Sequence, residues 1–182
     1  MHGEFMKYYL LAAAVAAGFA APAMAQDKAA FTGFHIEALA GYDNVDSGIA
    51  GVGKLDGVVY GIGAGYDFAA GGTVIGIEGE ATDSTAKTNT IAGKLEAGRD
   101  LYIGGRVGAV VGSGLLYVKA GYTNGRLTLK GFGSDNGDGA RVGLGYEFAV
   151  TGNSFIKVEY RYSNYEQGVS RNQGVAGFGL RF

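Results

Sequence analysis

Charged side chains recur at every second position along several stretches of the sequence, separated by apolar residues or glycine. This two-residue period is typical of β-strands, in which alternate side chains point to opposite faces. On the face that carries the charged side chains, the acidic residues nearly equal the basic residues in number. Since buried charges must be paired, the balance favours an internal ion-pair network, although a solvated face of mixed charge would look similar. The candidate structural residues are Glu37, Glu78, Glu80, Arg106, Lys119, Arg141, Glu147, Lys157, Glu159, Arg161 and Arg181, with Asp67 and Asp100 counted among the acids of the same face.

The other residues whose side chains could take part in chemistry form no catalytic, cofactor-binding or metal-binding motif. His35 is predicted to face inward beside Glu37, as a histidine hydrogen-bonded within a polar core. The segment at 134–139 (SDNGDG) is similar to a calcium loop, but Gly137 stands where a ligand is needed and Tyr146 replaces the closing Glu. We therefore expect a flexible loop tip there.

A second group of cations offers a possible surface contact. Lys87, Lys94 and Arg99 could meet anionic phosphate groups, while scattered solvated cations are the simpler interpretation. No catalytic, cofactor-binding or metal-binding residue is therefore assigned from the sequence.

Composition limits the class of protein. The 182 residues favour one domain, and the absence of Cys excludes a disulfide framework or a thiolate metal site. A formal net charge of -2 gives no bulk attraction to nucleic acid. The 35 glycines are unusual, because they lack the collagen period and the chain is too apolar for simple disorder.

The first 25 residues have the features of a removable signal peptide. Lys7 supplies a positive charge, residues 10–21 are apolar, and Ala23-Met24-Ala25 is a small-x-small cleavage site. Cleavage is predicted after Ala25, which leaves a barrel domain at 26–182. The alternative is a membrane anchor, but the apolar run is shorter than the roughly 20 residues that a spanning helix needs. Translation could start at Met1 or Met6.

The remaining chain is predicted to be all-β, with eight strands joined by alternately long and short connections. In an antiparallel arrangement every long connection then lies at one end, and both termini lie at the other. This pattern predicts a closed up-and-down transmembrane β-barrel. The strands are expected at 32–42, 57–68, 73–82, 99–110, 115–123, 140–148, 154–162 and 174–182, with long connections at 43–56, 83–98, 124–139 and 163–172.

Alternation alone does not say which face points outward, since a soluble barrel would place its apolar face inside. Glycine crowds the charged face, as an eight-stranded barrel with long side chains inside requires. Aromatic residues lie mostly near the strand ends of the apolar face, like the girdles of membrane barrels. The opposite orientation would put bases in lipid at roughly 2–4 kcal/mol each near the midplane. We therefore predict a polar, glycine-rich interior and an apolar exterior with aromatic girdles.

The final strand carries the clearest resemblance to a known family. Phe178, Leu180 and the terminal Phe182 share one face, which resembles the C-terminal assembly signal of bacterial outer-membrane β-barrels. Four further segments resemble the outer-membrane immunogenic or opacity-like porin family. They are 98–108 (GRDLYIGGRVG), 116–122 (LYVKAGY), 143–148 (GLGYEF) and 157–162 (KVEYRY).

The resemblance implies a Gram-negative outer-membrane protein with periplasmic termini and extracellular long loops. It implies outer-membrane lipid, lipopolysaccharide and the barrel-assembly machinery as partners, with no nucleic acid, no cofactor and no enzymatic activity. Lipopolysaccharide phosphates are the groups that Lys87, Lys94 and Arg99 could meet. A monomer is expected. The leading interpretation is a structural or surface-interaction barrel with an interior plugged by side chains, acting in envelope integrity, surface contacts or adhesion. The alternatives are a narrow porin-like channel, an outer-membrane lipid-modifying enzyme and a soluble periplasmic binding barrel.

Overall fold

The computed structural model describes residues 28–48, 54–90, 93–129 and 133–182. The predicted signal peptide and the choice between Met1 and Met6 lie outside these residues. Nine strands and two short 3-10 turns, Lys28–Phe31 and Glu166–Gly168, make up the described chain. The strands are β1 Gly33–Asp46, β2 Leu55–Ala70, β3 Thr73–Ser84, β4 Lys87–Thr90, β5 Gly93–Val111, β6 Gly114–Leu129, β7 Gly133–Ala149, β8 Ser154–Tyr165 and β9 Ser170–Arg181.

Antiparallel pairing closes these strands into a barrel. Apart from the short β4, strands that follow one another in the sequence pair with one another. β1 pairs with both β2 and β9, so the first and last strands close the wall. The four-residue β4 continues the line of β3. It pairs with β5 and, through Lys87 opposite Asp56, with β2. The wall therefore has eight positions, which confirms the predicted eight-stranded antiparallel barrel.

Tight turns join the strands at the end of the barrel that carries both termini of the wall, which we call the short-turn end. Two residues connect β2 to β3, and two connect β5 to β6. Gly71 and Gly112 stand first in these turns with φ of 60° and 62°, the left-handed backbone that glycine adopts without steric cost. We call the opposite end, where the sequence predicted the long connections, the long-loop end.

The long connections predicted from the sequence are longer than those in the structure. β6 runs to Leu129 and β7 begins at Gly133, so most of 124–139 is a strand pair. The prediction of a flexible loop tip at 134–139 is wrong, because these residues belong to β7. Similarly, 83–98 contains β4 and the start of β5, while β1, β2, β8 and β9 extend into 43–56 and 163–172. Backbone hydrogen bonds continue the ladder where the apolar alternation that marks a strand in the sequence has stopped.

The orientation of the two faces is as predicted. Ile77, Ile103 and Ile62 point outward with 68%, 67% and 66% of their surface exposed, whereas Arg161 on the inner face is fully buried. The outward apolar belt is bounded by two rows of aromatic residues, which confirms the predicted girdles. The row toward the long-loop end, the upper girdle, contains Tyr42, Tyr60, Tyr122, Tyr160 and Tyr162, and the lower girdle contains Phe34, Tyr66, Phe68, Tyr146, Phe148 and Phe182.

Polarity reverses beyond the upper girdle. On β1, outward Tyr42 is followed by outward Asn44, while the inward side changes from Asp43 to Val45. A buried apolar cluster fills the barrel at this level, formed by Val45, Leu55, Ala86, Leu95 and Ala97. The upper part of the wall is thus built like a soluble barrel, and the belt below it like a membrane barrel. No helix among the described residues is long and apolar enough to cross a membrane.

This boundary can be tested with single cysteines, since the chain contains no Cys. Ala40 and Asn44 both point outward, two positions below and two above Tyr42. We expect a water-soluble maleimide to label Asn44→Cys but not Ala40→Cys in intact lipid vesicles, because hydrocarbon excludes the reagent from the belt. Detergent solubilisation with unfolding should make both labelling yields equal. Equal labelling of the folded variants in vesicles would contradict the assigned boundary.

Candidate functional site

The candidate site is a network of charged side chains buried along the barrel axis. At its centre the Lys119 ammonium lies 2.8 Å from carboxylate oxygens of Glu78 and Glu80 and 2.9 Å from one of Glu159. These residues come from β3, β6 and β8, and alternation places each of them on the inner face. The ammonium group thus connects three separate parts of the wall.

Two further cations pair with the acids of this central cluster. Arg161 Nη1 donates to Glu80 at 2.8 Å and its Nε donates to Glu159 at 2.7 Å. Lys157 Nζ donates to Glu37 at 2.6 Å, which ties β8 to β1 across the interior. Because the Arg161 guanidinium donates hydrogen bonds to two different carboxylates, it fixes the positions of both acids.

A second cluster lies nearer the short-turn end. Asp67 accepts hydrogen bonds from Arg106 Nε at 2.8 Å and Arg181 Nη1 at 2.7 Å. Arg181 Nη2 also donates to Glu147 at 2.6 Å. His35 faces inward as predicted, but its ring nitrogen is 3.1 Å from Asp67, so Asp67 rather than Glu37 is its close acidic neighbour. The last residue but one of the chain is therefore held inside the barrel.

A third cluster lies toward the long-loop end. Arg141 Nη2 is 2.7 Å and Arg171 Nη1 is 2.9 Å from the Asp100 carboxylate, which also accepts from Tyr165. Arg171 Nε donates to Asp43 at 2.7 Å. The network thus continues through most of the depth of the barrel.

All the charged residues predicted for the internal network lie on the inner face, and the three clusters bring them together. Sequence analysis missed Asp43 and Arg171, because it assigned both to long connections. Asp43 is two positions beyond Gly41 on the inner face of β1, so continuing the same alternation would have found it. By contrast, Lys87, Lys94 and Arg99 point outward at the long-loop end, where Lys94 pairs with Glu96 at 2.9 Å.

Glycine provides the room that these long side chains need. A Cβ on Gly145 would lie 2.4 Å from the ring of Tyr117, and one on Gly104 would lie 2.1 Å from the Tyr102 hydroxyl. Each of these two tyrosine rings also makes a cation–π contact. Lys119 Nζ lies 4.7 Å from the centre of the Tyr102 ring, and Arg106 Cζ lies 5.0 Å from that of Tyr117.

Apolar groups separate and close the charged clusters. The network is bounded at the long-loop end by the Val45 cluster described above. Buried Leu39, Val59 and Val175 form a middle group. At the short-turn end the interior is filled by Phe31, Val74, Leu115 and Tyr117.

The central acids were also considered as a metal site. Oxygen atoms of Glu78, Glu80 and Glu159 lie within 4.8 Å of one another. Lys119 occupies the space between them with its ammonium group, and that group already provides the positive charge that a cation would bring. The donor set therefore suits an internal ion pair better than a metal ion.

The fold and this polar interior define the class of small transmembrane β-barrels, and comparisons with known proteins specify the family. The family model for the outer membrane protein beta-barrel domain matches residues 11–182. The 25 kDa outer-membrane immunogenic protein of Brucella canis is 30% identical over 145 residues, which cover 78% of this chain and 66% of that protein. Its namesake in Brucella ovis is 29% identical over 146 residues, covering 78% of this chain and 72% of that protein.

Solved structures share the fold at lower identity. Neisserial surface protein A (NspA) superimposes with a TM-score of 0.60 at 19% identity, covering 83% of this chain and 98% of that one. Ail, the attachment invasion locus protein of Yersinia pestis, in complex with the heparin analogue sucrose octasulfate, gives 0.57 at 20% identity, covering 82% and 99%. The chain belongs to the outer-membrane β-barrel family and is an outer-membrane protein. The short-turn end faces the periplasm and the long-loop end faces the exterior.

Replacing the central lysine should destabilise the barrel. In Lys119→Gln the side chain loses its charge and leaves three acids without their shared cation. Breaking a buried pair in this way costs roughly 3–5 kcal/mol. We expect the free energy of unfolding, measured by urea titration in lipid vesicles, to fall by about that amount.

Lys94→Gln is the matched control for this measurement. It makes the same chemical change in an ion pair whose two side chains are 35% and 31% exposed. Exposed pairs contribute about 0–1 kcal/mol, so the control should unfold close to the wild type. Equal effects of the two substitutions would contradict a structural role for the buried network.

Proposed function

We propose that this chain is a structural and surface-interaction barrel of the outer membrane, with an interior closed by its own side chains. The observation that carries the proposal is the succession of buried charged clusters and apolar groups along the axis. Each carboxylate named in these clusters lies within 3 Å of at least one cation, so the charges are arranged to hold the wall together. In this role the barrel contributes to the integrity of the cell envelope, and its exposed long-loop end takes part in surface contacts or adhesion.

A closed interior favours this role over a channel. Eight strands give an interior just wide enough for side chains, whereas aqueous porins use sixteen or more. Here Arg141 and Arg161 are both buried to 1% exposure or less, and apolar groups stand above and below them. An ion crossing the barrel would have to break the salt bridges and pass the apolar groups. The channel is accordingly the second candidate.

Current recordings across planar bilayers test the closed interior. We expect purified, refolded protein to produce no stable conductance steps, because no ion can pass without displacing the paired side chains. Insertion must be shown independently, by protease protection of the protein in the same membranes. Reproducible steps that change in size when Arg161 is replaced by Gln would favour the channel instead.

The names of the similar proteins are consistent with a role at the cell surface. They include an outer-membrane immunogenic protein, a surface protein and an attachment invasion locus protein. For this chain we place adhesion or surface contact at the long-loop end, where outward side chains are polar. The outer face below it contacts lipid and outer-leaflet lipopolysaccharide. We assign no enzymatic activity, since His35 is 1% exposed and lies among charged partners.

The C-terminal strand is proposed to direct insertion by the barrel-assembly machinery, with the barrel remaining a monomer. Phe178, Leu180 and Phe182 point outward, exposed by 55%, 40% and 66%, so their side chains are accessible before lipid covers them. Phe182 also closes the wall, because its backbone N–H donates to Phe34 O at 2.7 Å.

Deleting Phe182 should separate assembly from stability. We expect the amount of folded protein in the outer membrane of cells to fall several-fold, because the terminal aromatic side chain of the assembly signal is gone. The same variant refolded in vesicles should keep most of its unfolding free energy, because the deletion removes one terminal hydrogen bond and a side chain at the lipid surface. Normal cellular assembly, measured by heat-modifiable gel mobility of membrane fractions, would overturn the role of Phe182.

A further inference from the structure

The rim of the barrel is uneven at the long-loop end. The ladder between β7 and β8 stops at the pair Gly139 and Tyr165, whereas β7 continues upward to Gly133, paired with β6. The chain leaves β8 through the turn Glu166–Gly168 and returns in β9 from Ser170. A cleft therefore lies between this turn and the upper part of β7.

A small cavity lies in this cleft and opens to the exterior. It has a volume of about 60 Å³ and a mostly apolar surface. Val45 and Ala97, on two of its walls, belong to the buried apolar cluster at this level, and Val169 packs against that cluster. Tyr165 forms a further wall. A group that enters the cavity therefore joins an existing apolar cluster.

Two facing glycines leave this space inside the wall. Gly125 and Gly137 are partners in the ladder between β6 and β7, and alternation places both on the inner face. A Cβ on Gly125 would lie 3.0 Å from the Tyr165 ring, which is a tight contact. One on Gly137 would lie 3.7 Å from Tyr165 Cβ, an ordinary van der Waals contact. A side chain added at position 137 would thus fill the cavity without displacing the backbone.

The charged groups that border the cavity already have partners. Arg171 donates to Asp43 at 2.7 Å and to Asp100 at 2.9 Å, and the Tyr165 hydroxyl also donates to Asp100. A charged ligand group would have to give up its water with no counter-charge left to bind it. Charge complementarity therefore favours an uncharged, apolar group.

The volume limits the size of that group. An apolar cavity of about 150 Å³ takes a benzene molecule, so this smaller one suits a branched aliphatic group of about four carbons. Sites for whole small-molecule ligands measure about 300–1,000 Å³. A free molecule of four carbons has too few atoms for tight binding. The apolar group is therefore expected to belong to a larger ligand that also contacts the rim of the cleft.

We propose that the cavity binds a leucine side chain of a partner protein at the cell surface. An aliphatic side chain held in a desolvated pocket is a common anchor of protein–protein contacts, with the surrounding contacts excluding water. The inference rests on the proposed surface-contact role of the long-loop end. It specifies the chemistry of that contact and places it between β7 and the turn after β8.

Methyl NMR of the full chain in nanodiscs tests the cavity, with capped tripeptides as probes. We expect glycyl-leucyl-glycine to shift the methyl signals of Val45 and Val169 in a saturable way. Glycyl-alanyl-glycine should bind at least about tenfold more weakly, because the burial of most of the aliphatic side chain is lost. The signals of Val59, in the buried middle group, should not move. Equal binding of the two peptides, or no shift with either, would overturn the site.

Filling the cavity should remove the binding of the leucine peptide. Gly137→Val does so from β7, and Ala97→Val is a second filling variant from β5. The matched control is Gly174→Val, since a Cβ on this outward glycine of β9 would meet nothing within 4 Å. Heat-modifiable gel mobility shows that each variant is folded. Binding that survives in a folded filling variant, or that is lost equally in the control, would contradict the proposal.

Two other occupants would give different results. Isobutanol carries the same aliphatic group without a peptide. If it binds as tightly as the leucine peptide, the cavity takes a free apolar molecule and the proposed protein partner is wrong. If the Val45 and Val169 signals shift without peptide as the number of barrels per nanodisc increases, the occupant is a second copy of this chain, which would also overturn the proposal.

Conductance of the same samples separates this inference from the proposed function. A folded, non-conducting barrel that does not bind the leucine peptide would overturn the leucine site alone. A conducting wild type that still binds this peptide through the cavity would overturn the closed barrel and leave the site intact.

Discussion

The structure depends on the cost of exposing a charge to hydrocarbon. An ionised base on the lipid face costs roughly 2–4 kcal/mol near the midplane, whereas total stabilities are only about 5–15 kcal/mol. The charges of the membrane-spanning strands are therefore confined to the inner face, where each needs a partner. Lys119 and its three acids show the solution, since residues of β3, β6 and β8 are joined around one ammonium group. The electrostatic constraint and the closure of the wall are thus satisfied by the same contacts.

The reversal of polarity along β1, β2 and β5 gives the barrel two functional parts. Below the upper girdle, apolar residues face lipid and ions face the axis. Above it, Val45 and Leu55 are buried inside while Asn44 and Asp56 face outward, with Asn44 donating to Asp56 at 2.7 Å. The projecting part consequently stays folded in water without lipid around it. It presents polar side chains to the exterior, where the proposed surface contacts are located.

The alternation of side chains was enough to predict the eight strand positions of the wall. The glycines of the charged face and the aromatic residues of the apolar face predicted which face points outward. Alternation failed at the long-loop end, where polar outward residues remove the contrast between faces but the backbone ladder continues through Leu129 and Gly133. For the same reason Asp43 and Arg171 were left out of the network. Which acid pairs with which base could not be predicted from the sequence either. Lys157 and Glu37, for example, are 120 residues apart and meet only through the shear of the closed wall.

The central claim is that apolar side chains cover the outside of the barrel and charged ones fill its interior. The most direct measurement is nuclear Overhauser transfer between lipid acyl chains and methyl groups of the protein in nanodiscs. We expect transfer to Ile62, Ile77 and Ile103, which point outward, and none to Leu39, Val59 and Val175, which are buried inside. Strong transfer to the second group, with none to the first, would contradict the account.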